Sequence, residues 1–521
     1  MDKTLFKSAQ PTAPKDLVTN LAGGNAFSMD AKSELAQYVM TGTFRNTFYA
    51  KAENDLARVV ALAQDCDPMY LAKLAIHGRQ AGYMKDAPAL LLAMLSVKDP
   101  VLFAKAFPRV VNNGKMLRNF VQVIRSGVAG RKSLGNGPKT QVARWLQNAS
   151  VSNLLGASVG NAPSLADVIN LSRPKGRDAS QAALFGYLLG KTVDLALLPQ
   201  EVLALDAFRK DPAGKAVPNV DFRLVDSFLT REQWKDIARN APWQMTRMNL
   251  NTFKRHGVFE DEALVRLVAD RLADPVEIAK SKVFPFQMMA AYRHAQDDMP
   301  RKLLDALHTA TDIALKNVPT FAGLVAVCPD VSGSMQSSIT GAGSGTPSKM
   351  RCIDVAALVT ASVLAKNPDA LILPFSTDVI DVNRLRLSAR DSILTNAEKL
   401  SSIMGGGTSV SKPLERLLKT NAMVDAVIYV SDNESWVDRD NAYRAGTATQ
   451  SLWDRYRKTV SPGAKLVAID VTPSATVQAR SAPDTLNIGG FSDAVFDVIN
   501  AFLSGDAAGA SMAMAIEAVE V

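Results

Sequence analysis

The sequence lacks the features of several common protein classes. It contains no run of about 18 apolar residues, so we expect no transmembrane helix and no membrane partner. The first 16 residues hold no apolar stretch of signal-peptide length, which favours a cytoplasmic setting. Only three cysteines, Cys66, Cys328 and Cys352, are scattered along 521 residues. They are too few for a disulfide framework, and their spacing matches no zinc motif.

Acidic residues are absent from one long window. No Asp or Glu occurs between Asp99 and Asp167, whereas nine Lys or Arg side chains do. Residues 1–300 carry 39 basic and 28 acidic side chains, a net charge of +11, and residues 301–521 carry 20 and 23, a net charge of −3. A field of one sign attracts polyanions, so the window predicts a phosphate-binding surface. A solvated basic face without a partner is the alternative.

Ten basic residues in and just beyond this window are candidate RNA contacts. They are Lys115, Arg118, Arg125, Arg131, Lys132, Lys139, Arg144, Arg173, Lys175 and Arg177. Apolar residues at helical spacing predict a helix over 115–125, followed by a basic, glycine-rich loop over 130–137. Such surfaces hold phosphates without reading sequence, and arginine also stacks on unpaired bases.

Pro138 suits the first turn of a second helix. In that helix the spacing predicts that Val142, Trp145 and Leu146 face the core while Arg144 points away. The two helices and their loop are therefore expected to present basic side chains to solvent.

The chain divides into regions that differ in composition and in the spacing of their apolar residues. Residues 1–27 are polar, with scattered Pro and Gly, and are expected to form a flexible leader. Residues 28–320 show apolar residues at intervals of three and four, which predicts stacked helix pairs of about 35–45 residues each, an α-solenoid. The C-terminal tail, 506–521, is expected to add a last helix or strand.

Residues 321–505 have the pattern of an α/β domain. Short apolar, β-branched runs at 324–327, 371–373, 427–430 and 466–469 alternate with helical segments. Continuous apolar strands separated by helices predict a doubly wound parallel sheet covered on both faces. The expected fold class is therefore multidomain, α-helical and then α/β.

Short oxygen-bearing side chains follow the predicted strands. Asp330, Ser332 and Ser334 follow the first strand, Thr408 follows three glycines, and Asp432 follows the third strand. Ligands of such sheets bind at the carboxyl ends of strands. Because hydroxyls and carboxylates suit a small hard cation, the sequence predicts a divalent metal site, with Mg²⁺ the expected ion. Plain serine–glycine turns with Asp caps are the alternative.

Enzyme motifs do not fit this chain. Residues 186–192 resemble a phosphate-binding loop but have three residues between the glycines where the motif needs four, and they lie in a predicted helix. The four histidines lie in separate predicted helices, and no nucleophile–base pair assembles. We therefore expect a protein that is not an enzyme.

These motifs together resemble a known family. The metal motif resembles the metal-ion-dependent adhesion site of von Willebrand factor A-type domains. With the helical-repeat region before it, the chain resembles the Ro autoantigen family, whose repeat region is called the TROVE module. Matching phrases occupy residues 130–131, 135–145, 169–175, 283–286 and 431–436. The resemblance covers residues 28 to about 505.

The resemblance implies a role for each residue of the metal motif. Ser332 and Ser334 would bind the ion directly, and Thr408 directly or through water. Asp330 and Asp432 would act through water. One coordination position would stay open for an acidic group from a partner.

The resemblance also implies a ring of helical repeats closed by the A-type domain. Ro-like proteins bind small noncoding Y RNAs on the outer basic surface and take single-stranded 3′ ends of misfolded RNAs through the central hole. Bacterial relatives are linked to RNA decay and stress survival with an exoribonuclease as partner. Lys139 and Arg144 fall where the family has basic residues, whereas Arg173 falls where many members have histidine. We expect a monomer that does not bind DNA.

Three hypotheses follow. The first is an RNA-binding scaffold for small-RNA quality control. The second is a metal-dependent protein-binding adaptor without an RNA function, for which the basic window would be needless. The third is a nuclease, which would need a carboxylate cluster outside the metal motif. The basic window favours the first.

Overall fold

The computed structural model of the chain divides into two compact units. It describes residues 14–41, 44, 46–160, 162–213, 215–281, 283, 285–295, 298–315, 318, 320–339, 349–438, 446–490, 494–505 and 512–521. The α/β unit comprises Met1–Asp55, Phe284–Phe286 and Leu315–Ala515. The helical unit comprises Leu56–Val283, Gln287–Ala314 and Ile516–Val521. A single boundary near residue 320, as predicted from the sequence, therefore does not separate the two units.

The N-terminal segment is part of the α/β unit. Two strands, β1 (Leu17–Thr19) and β2 (Asn25–Ser28), pair antiparallel and precede helix α1 (Ala31–Thr41). β2 also pairs with the short strand Thr476–Val477. The prediction of a flexible leader is wrong for residues 14–27, because β1 and β2 pair with each other there and β2 also pairs with a strand far along the chain. Residues 1–13 lie outside the described residues.

The helical unit is built from consecutive helices. They are α2 (Ala52–Asp65), α3 (Pro68–Gln80), α4 (Asp86–Lys98), α5 (Pro100–Val110), α6 (Gly114–Ser126), α7 (Asn136–Asn148), α8 (Val151–Ala157), α9 (Leu165–Ser172), α10 (Ala179–Leu188), α11 (Gln200–Lys210), α12 (Arg231–Asn240), α13 (Trp243–Met248), α14 (Leu250–Arg255), α15 (Glu262–Leu272), α16 (Pro275–Ser281), α17 (Pro285–His294) and α18 (Arg301–Ala314). Successive members stack: α3 packs on α4 and α5, α4 on α6, α5 on α7, α6 on α8, and α7 on α9. Packing onto near neighbours in sequence is the arrangement of an α-solenoid, so the predicted helical repeats are confirmed.

Helix α6 shows why the sequence folds this way. Asn113 caps its N-terminus by accepting a hydrogen bond from the Met116 backbone N–H, and Gly127 ends it at a φ of 86°. Both residue types are preferred at these caps. On the buried face, the Phe120 ring packs against Phe103 and Phe107 of α5. The predicted helix over 115–125 is confirmed.

The candidate phosphate-binding loop is excluded by its position. Gly186 lies inside α10, and Gly190, at a φ of 72°, follows the end of that helix. A phosphate-binding loop needs a strand before it and a helix after it. The predicted helix therefore includes residues 186–188, whereas residues 189–192 lie beyond its end.

The remaining strands and helices form the body of the α/β unit. They are β3 (Val325–Pro329), α19 (Cys352–Lys366), β4 (Leu371–Ile372), α20 (Ile393–Ser401), α21 (Lys412–Thr420), β5 (Ala426–Ser431), α22 (Ala448–Thr459), β6 (Lys465–Asp470), β7 (Thr476–Val477), β8 (Thr485–Gly489), α23 (Ala494–Ser504) and α24 (Met512–Glu517). The tail was expected to add a helix or a strand, and it contains a helix, α24. Residues 506–511 of the tail lie outside the described residues.

The main sheet has the order β4-β3-β5-β6-β8, and every pair is parallel. The strand order reverses between β3 and β5, which makes this point the topological switch of a doubly wound fold. All four predicted strands are present, and β8 is an addition. Both β3 and β5 are buried along their whole length, as expected for a sheet covered on both faces.

One face of this sheet packs on α21 and α22. Ala326 and Cys328 of β3 share a core cluster with Trp453 and Tyr456 of α22. The two aromatic rings stack with centroids 6.0 Å apart. This packing holds the carboxyl ends of β3 and β5 in place. Two of the predicted metal ligands, Asp330 and Asp432, come directly after these ends.

Cys66, Cys328 and Cys352 form no disulfide bond. None of the helices in the described parts of the chain is both long enough and apolar enough to span a bilayer.

Candidate metal centre and nucleic-acid interface

The predicted metal residues meet at the topological switch point. Asp330 follows β3 and Asp432 follows β5, and the two strands are neighbours in the sheet. The Gly333 N–H donates to the Gly406 carbonyl at 2.9 Å, and the Gly405 N–H donates to the Val331 carbonyl at 2.9 Å. These bonds join the glycine turn to the loop after β3. The three loops predicted to carry the site therefore lie at one edge of the sheet.

Hydrogen bonds fix Asp330 and orient the two serines. The Ser332 backbone N–H donates to Asp330 Oδ1 at 2.8 Å, and the Ser431 hydroxyl donates to Asp330 Oδ2 at 2.6 Å. The Ser332 and Ser334 hydroxyl oxygens lie 3.2 Å apart, and Ser334 also bonds to Asp432. All of these side chains are buried. The structure thus brings together four of the five predicted ligands.

Thr408, the fifth, belongs to the adjoining glycine turn and is also buried. Its carbonyl accepts hydrogen bonds from the backbone N–H groups of Trp436 and Val437, each at 3.1 Å. Gly407 lies against the Trp436 ring so closely that a Cβ there would clash with it. The turn that carries Thr408 is therefore anchored to the loop after β5, which carries Asp432.

Four buried carboxyl groups interact at this edge. Burial and the nearby Asp432 carboxylate raise the pKa of Asp330 to about 7. Burial also raises the pKa of Asp432, and it raises the pKa of Glu434 to about 7. The pKa of Asp470 lies well above its usual range, through burial and the charges of Glu434 and Asp432. Such carboxyls are stabilised by protons or by a bound cation.

The donor set fits a hard divalent ion. In the described part of the chain, no group of three or more His, Cys, Asp or Glu side chains is placed to hold a metal. A metal at this edge would therefore depend on hydroxyl oxygens. Ser332 and Ser334 have such oxygens side by side, whereas both carboxylate oxygens of Asp330 already accept protein hydrogen bonds. This matches serines as direct ligands and Asp330 as a residue that orients them.

The raised pKa values predict how stability depends on pH. In the presence of EDTA, Asp330 and Glu434 hold protons more tightly in the folded chain than in the unfolded chain. Their contribution is complete below the ordinary carboxyl pKa and is lost as the pH rises through about 7. We expect the Tm to be a few degrees lower at pH 8 than at pH 6, and Asp330→Asn to reduce the difference. A Tm that rises between these pH values in thermal unfolding would contradict this.

The N-terminal segment reaches the same edge, which the sequence did not predict. The Tyr49 hydroxyl bonds to Ser334, and a small cavity there is lined by Phe48, Tyr49, Ser334 and Asp432, among others. Burial and the carboxylates raise the pKa of Tyr49 to about 12, so this phenol stays protonated. No local pattern marks Tyr49 as part of the site, because the contact depends on how residues 14–55 pack on the α/β unit.

Tyr49→Phe tests what the phenol does there. It removes a hydroxyl that shares Ser334 with the predicted ion, so we expect Mg²⁺ to bind more tightly by up to about tenfold, the free energy of one hydrogen bond. Isothermal titration with Mg²⁺ measures the change. Weaker binding would contradict this expectation and would indicate that the phenol oxygen is itself a ligand.

The ten predicted RNA contacts lie in the helical unit and are mostly exposed. The exposed members are Lys115, Arg125, Lys132, Arg144, Arg173, Lys175 and Arg177. Among the described residues, none of the ten lies within 4.0 Å of a carboxylate oxygen. Basic residues further along the unit are paired: Lys235 with Glu232, Arg239 with Asp236, Arg266 with Glu262, and Lys280 with Glu277. In the part of the chain that the structure describes, the ten therefore form no close ion pair, although Arg125 attracts the Asp167 carboxylate.

Two of the ten are occupied by the protein itself. Arg131 donates from Nε to the Ser133 carbonyl at 3.0 Å and from a terminal nitrogen to the Leu134 carbonyl, so it folds back onto its own loop. Arg118 is half-buried, and its guanidinium lies against Gly160 and the Pro163 carbonyl. Both residues therefore stabilise loops, since carbonyls near them need donors, and that they also contact RNA stays a prediction.

The second helix and the loop after α9 adjoin each other. The Gln147 side chain in α7 donates to the Lys175 carbonyl at 2.7 Å, and the Gln181 side chain donates to the Gln147 carbonyl at 2.8 Å. Arg173 ends α9 at a φ of 50° with its side chain exposed. The eight remaining residues, Lys115, Arg125, Lys132, Lys139, Arg144, Arg173, Lys175 and Arg177, are called the basic surface below.

Comparisons with known proteins agree with this architecture. The family model of the Ro60 vWA domain matches residues 323–503. The RNA-binding protein RO60 of Deinococcus radiodurans is 25 % identical over 533 aligned positions, which cover 94 % of this chain and 96 % of that protein. The crystal structure of the RO (RSR) protein of the same organism superimposes with a TM-score of 0.57 at 21 % identity, covering 92 % of this chain and 100 % of that chain. The similarity in structure shows a shared fold across both units.

Proposed function

We propose that this chain, which is similar to Ro proteins over nearly its whole length and matches the Ro60 vWA domain model over residues 323–503, binds RNA through the basic surface and acts as a scaffold, not as an enzyme. The observation that carries this proposal is that, among the described residues, no carboxylate oxygen lies within 4.0 Å of a basic group of this surface. Basic side chains that lack carboxylate partners are free to exchange condensed counterions for phosphates. A relative over nearly the whole chain is named an RNA-binding protein, which supports the same function.

We propose small noncoding, Y-like RNAs and the single-stranded 3′ ends of misfolded RNAs as the ligands. The protein would then serve RNA quality control, decay and the stress response in the cytoplasm, with an exoribonuclease as partner. The helical stack supports this proposal because it presents exposed Lys and Arg from several helices, which suits a folded RNA with many phosphates.

A divalent metal in the α/β unit is a second part of the proposal. Ser332, Ser334 and Thr408 would hold Mg²⁺, and Asp330 and Asp432 would orient them. The buried carboxyl groups at this edge, which a bound cation would stabilise, support it. The same observation favours a second candidate function, a metal-dependent adaptor that captures an acidic group of a partner protein and has no RNA function.

One experiment separates the two functions. RNA that co-purifies with the intact protein is sequenced, and the affinity of a recovered RNA is compared in filter binding with that of DNA of the same sequence. We expect small structured RNAs to be enriched and to bind more tightly than the DNA. Recovery of proteins without RNA, together with equally weak binding of both nucleic acids, would favour the adaptor.

A further inference from the structure

A groove in the helical unit has the lining of a base-binding site. It lies between α5, α7 and α8 and has a volume of about 400 Å³. Its floor is apolar and includes Phe107, Val111 and Ala149, all buried. Its walls are polar and aromatic. They are formed by Asn112, Gln141, Arg144, Trp145, Asn148 and Asn153.

Trp145 is only half-buried, which corrects the sequence expectation that it faces the core with Val142 and Leu146. The latter two are fully buried, so α7 is anchored without the indole. The wide ring at position 145 therefore lies partly open along the groove. Arg144, beside it in the sequence, is exposed and lines the same groove.

The amide side chains of the groove have unused hydrogen-bonding capacity. Within the described residues, the side chains of Gln141, Asn148 and Asn153 make no hydrogen bond to the protein, and neither does the Trp145 indole N–H. Asn112 accepts from Arg79 at 2.8 Å and keeps its own N–H groups free. An array of free amides around an aromatic face and an apolar floor is what a planar, hydrogen-bonding ring requires.

From these observations we propose that this groove, called the Trp145 groove, holds one unpaired nucleobase of a bound RNA strand. The base stacks on the Trp145 indole, and the amides of Asn148, Asn153 and Gln141 bond to its edge. The inference rests on the proposed RNA function and adds a subsite to it. The basic surface would hold the phosphates on either side, since Arg144 belongs to both features.

The amides and the indole ring of the groove favour a nucleotide over an acidic peptide as the occupant. A carboxylate would accept from Arg144 and from amide N–H groups, but it would leave the face of the Trp145 ring and the amide carbonyls without a suitable partner. A base can stack its π-face on the indole, and the donors and acceptors on its edge can bond to the amides. Arg144 lines the groove, so it can hold a phosphate of a strand whose base enters there.

The test compares single-stranded RNA with duplex RNA on the full chain. With an unstructured strand of about ten nucleotides, Trp145→Ala is expected to weaken binding at least fivefold, and Trp145→Phe to retain most of the affinity. Binding of a blunt duplex should stay within about twofold, because its bases are not available for stacking. The salt dependence should not change, since no phosphate contact is removed.

A second variant shows whether an effect of Trp145→Ala comes from the groove or from a folding defect. Asn148 and Asn153 are exposed, so their double replacement by Ala leaves the apolar floor intact and should change the preference among homopolymeric strands. Gln122→Ala, an exposed amide on α6, is the matched control and should have no effect. Unchanged single-strand affinity in both groove variants, or equal losses on strand and duplex, would overturn the inference. A wild-type chain that binds neither RNA would overturn the proposed function as well.

Discussion

Replacing Lys115, Lys132, Lys139 and Lys175 together by Ala is expected to weaken the binding of structured small RNA at least tenfold. These lysines belong to the basic surface and have no carboxylate partner among the described residues. The variant leaves Arg118 and Arg131 unchanged, because these two stabilise loops. Arg144 is left in place because it also lines the Trp145 groove. The loss therefore reports phosphate contacts alone.

The salt dependence of the same variant gives a second, independent readout. Each phosphate contact that is lost reduces the slope of log K against log salt concentration by about 0.9 on a duplex, so four lost contacts flatten it by about 3 to 4 units. Filter binding between low and physiological salt measures the slope. A weaker affinity with an unchanged slope would point to altered folding instead of lost contacts.

The helical unit offers a matched control for this variant. Lys235, Arg239, Arg266 and Lys280 are each paired with a carboxylate within the unit. Replacing these four by Ala changes the net charge by the same amount. We expect less than a twofold effect on RNA affinity. Equal losses in the two variants would mean that total charge, and not the basic surface, governs binding.

Asp330→Asn is expected to weaken Mg²⁺ binding at least tenfold and to leave RNA affinity within about twofold. The carboxylate is fully buried and holds the Ser332 N–H and the Ser431 hydroxyl. An amide cannot accept both bonds with the same charge, so the serine hydroxyls lose their orientation and the ion loses a negative neighbour. Isothermal titration with Mg²⁺ and filter binding with RNA measure the two effects.

Asp369→Asn serves as the matched control, because Asp369 is an exposed carboxylate in the same unit and lies away from the predicted metal ligands. It should leave Mg²⁺ binding unchanged. If Asp330→Asn weakened RNA binding as much as metal binding, the two sites would not act independently. If it left Mg²⁺ binding unchanged, the proposed role of Asp330 would be wrong.

Local patterns were sufficient for most elements of the fold. Continuous apolar runs predicted β3, β4, β5 and β6, because a strand buried on both faces has few polar positions. Intervals of three and four predicted α6 and the helical stack. The approach of Asp330 to Asp432 also followed, since both come after neighbouring parallel strands and carboxyl ends meet at one sheet edge.

The features that were missed depend on contacts between distant parts of the chain. Strand β2 is short, and one of its two partners, β7, lies far along the chain. Tyr49 reaches Ser334 because the N-terminal segment packs on the α/β unit, which no periodicity encodes. Arg131 looks like any other exposed cation in the sequence, yet the carbonyls of its own loop bind it. Trp145 has the spacing of a core residue, and only the groove beside α7 leaves it half-open.

Cross-linking of bound RNA tests the central claim most directly. The intact protein is irradiated with its co-purified small RNA, digested, and the cross-linked peptides are identified by mass spectrometry. If the basic surface binds RNA, the cross-links should concentrate in peptides from residues 114–177. Cross-links concentrated in residues 231–281, where Lys235, Arg239, Arg266 and Lys280 are paired with carboxylates, or in the α/β unit would contradict the account.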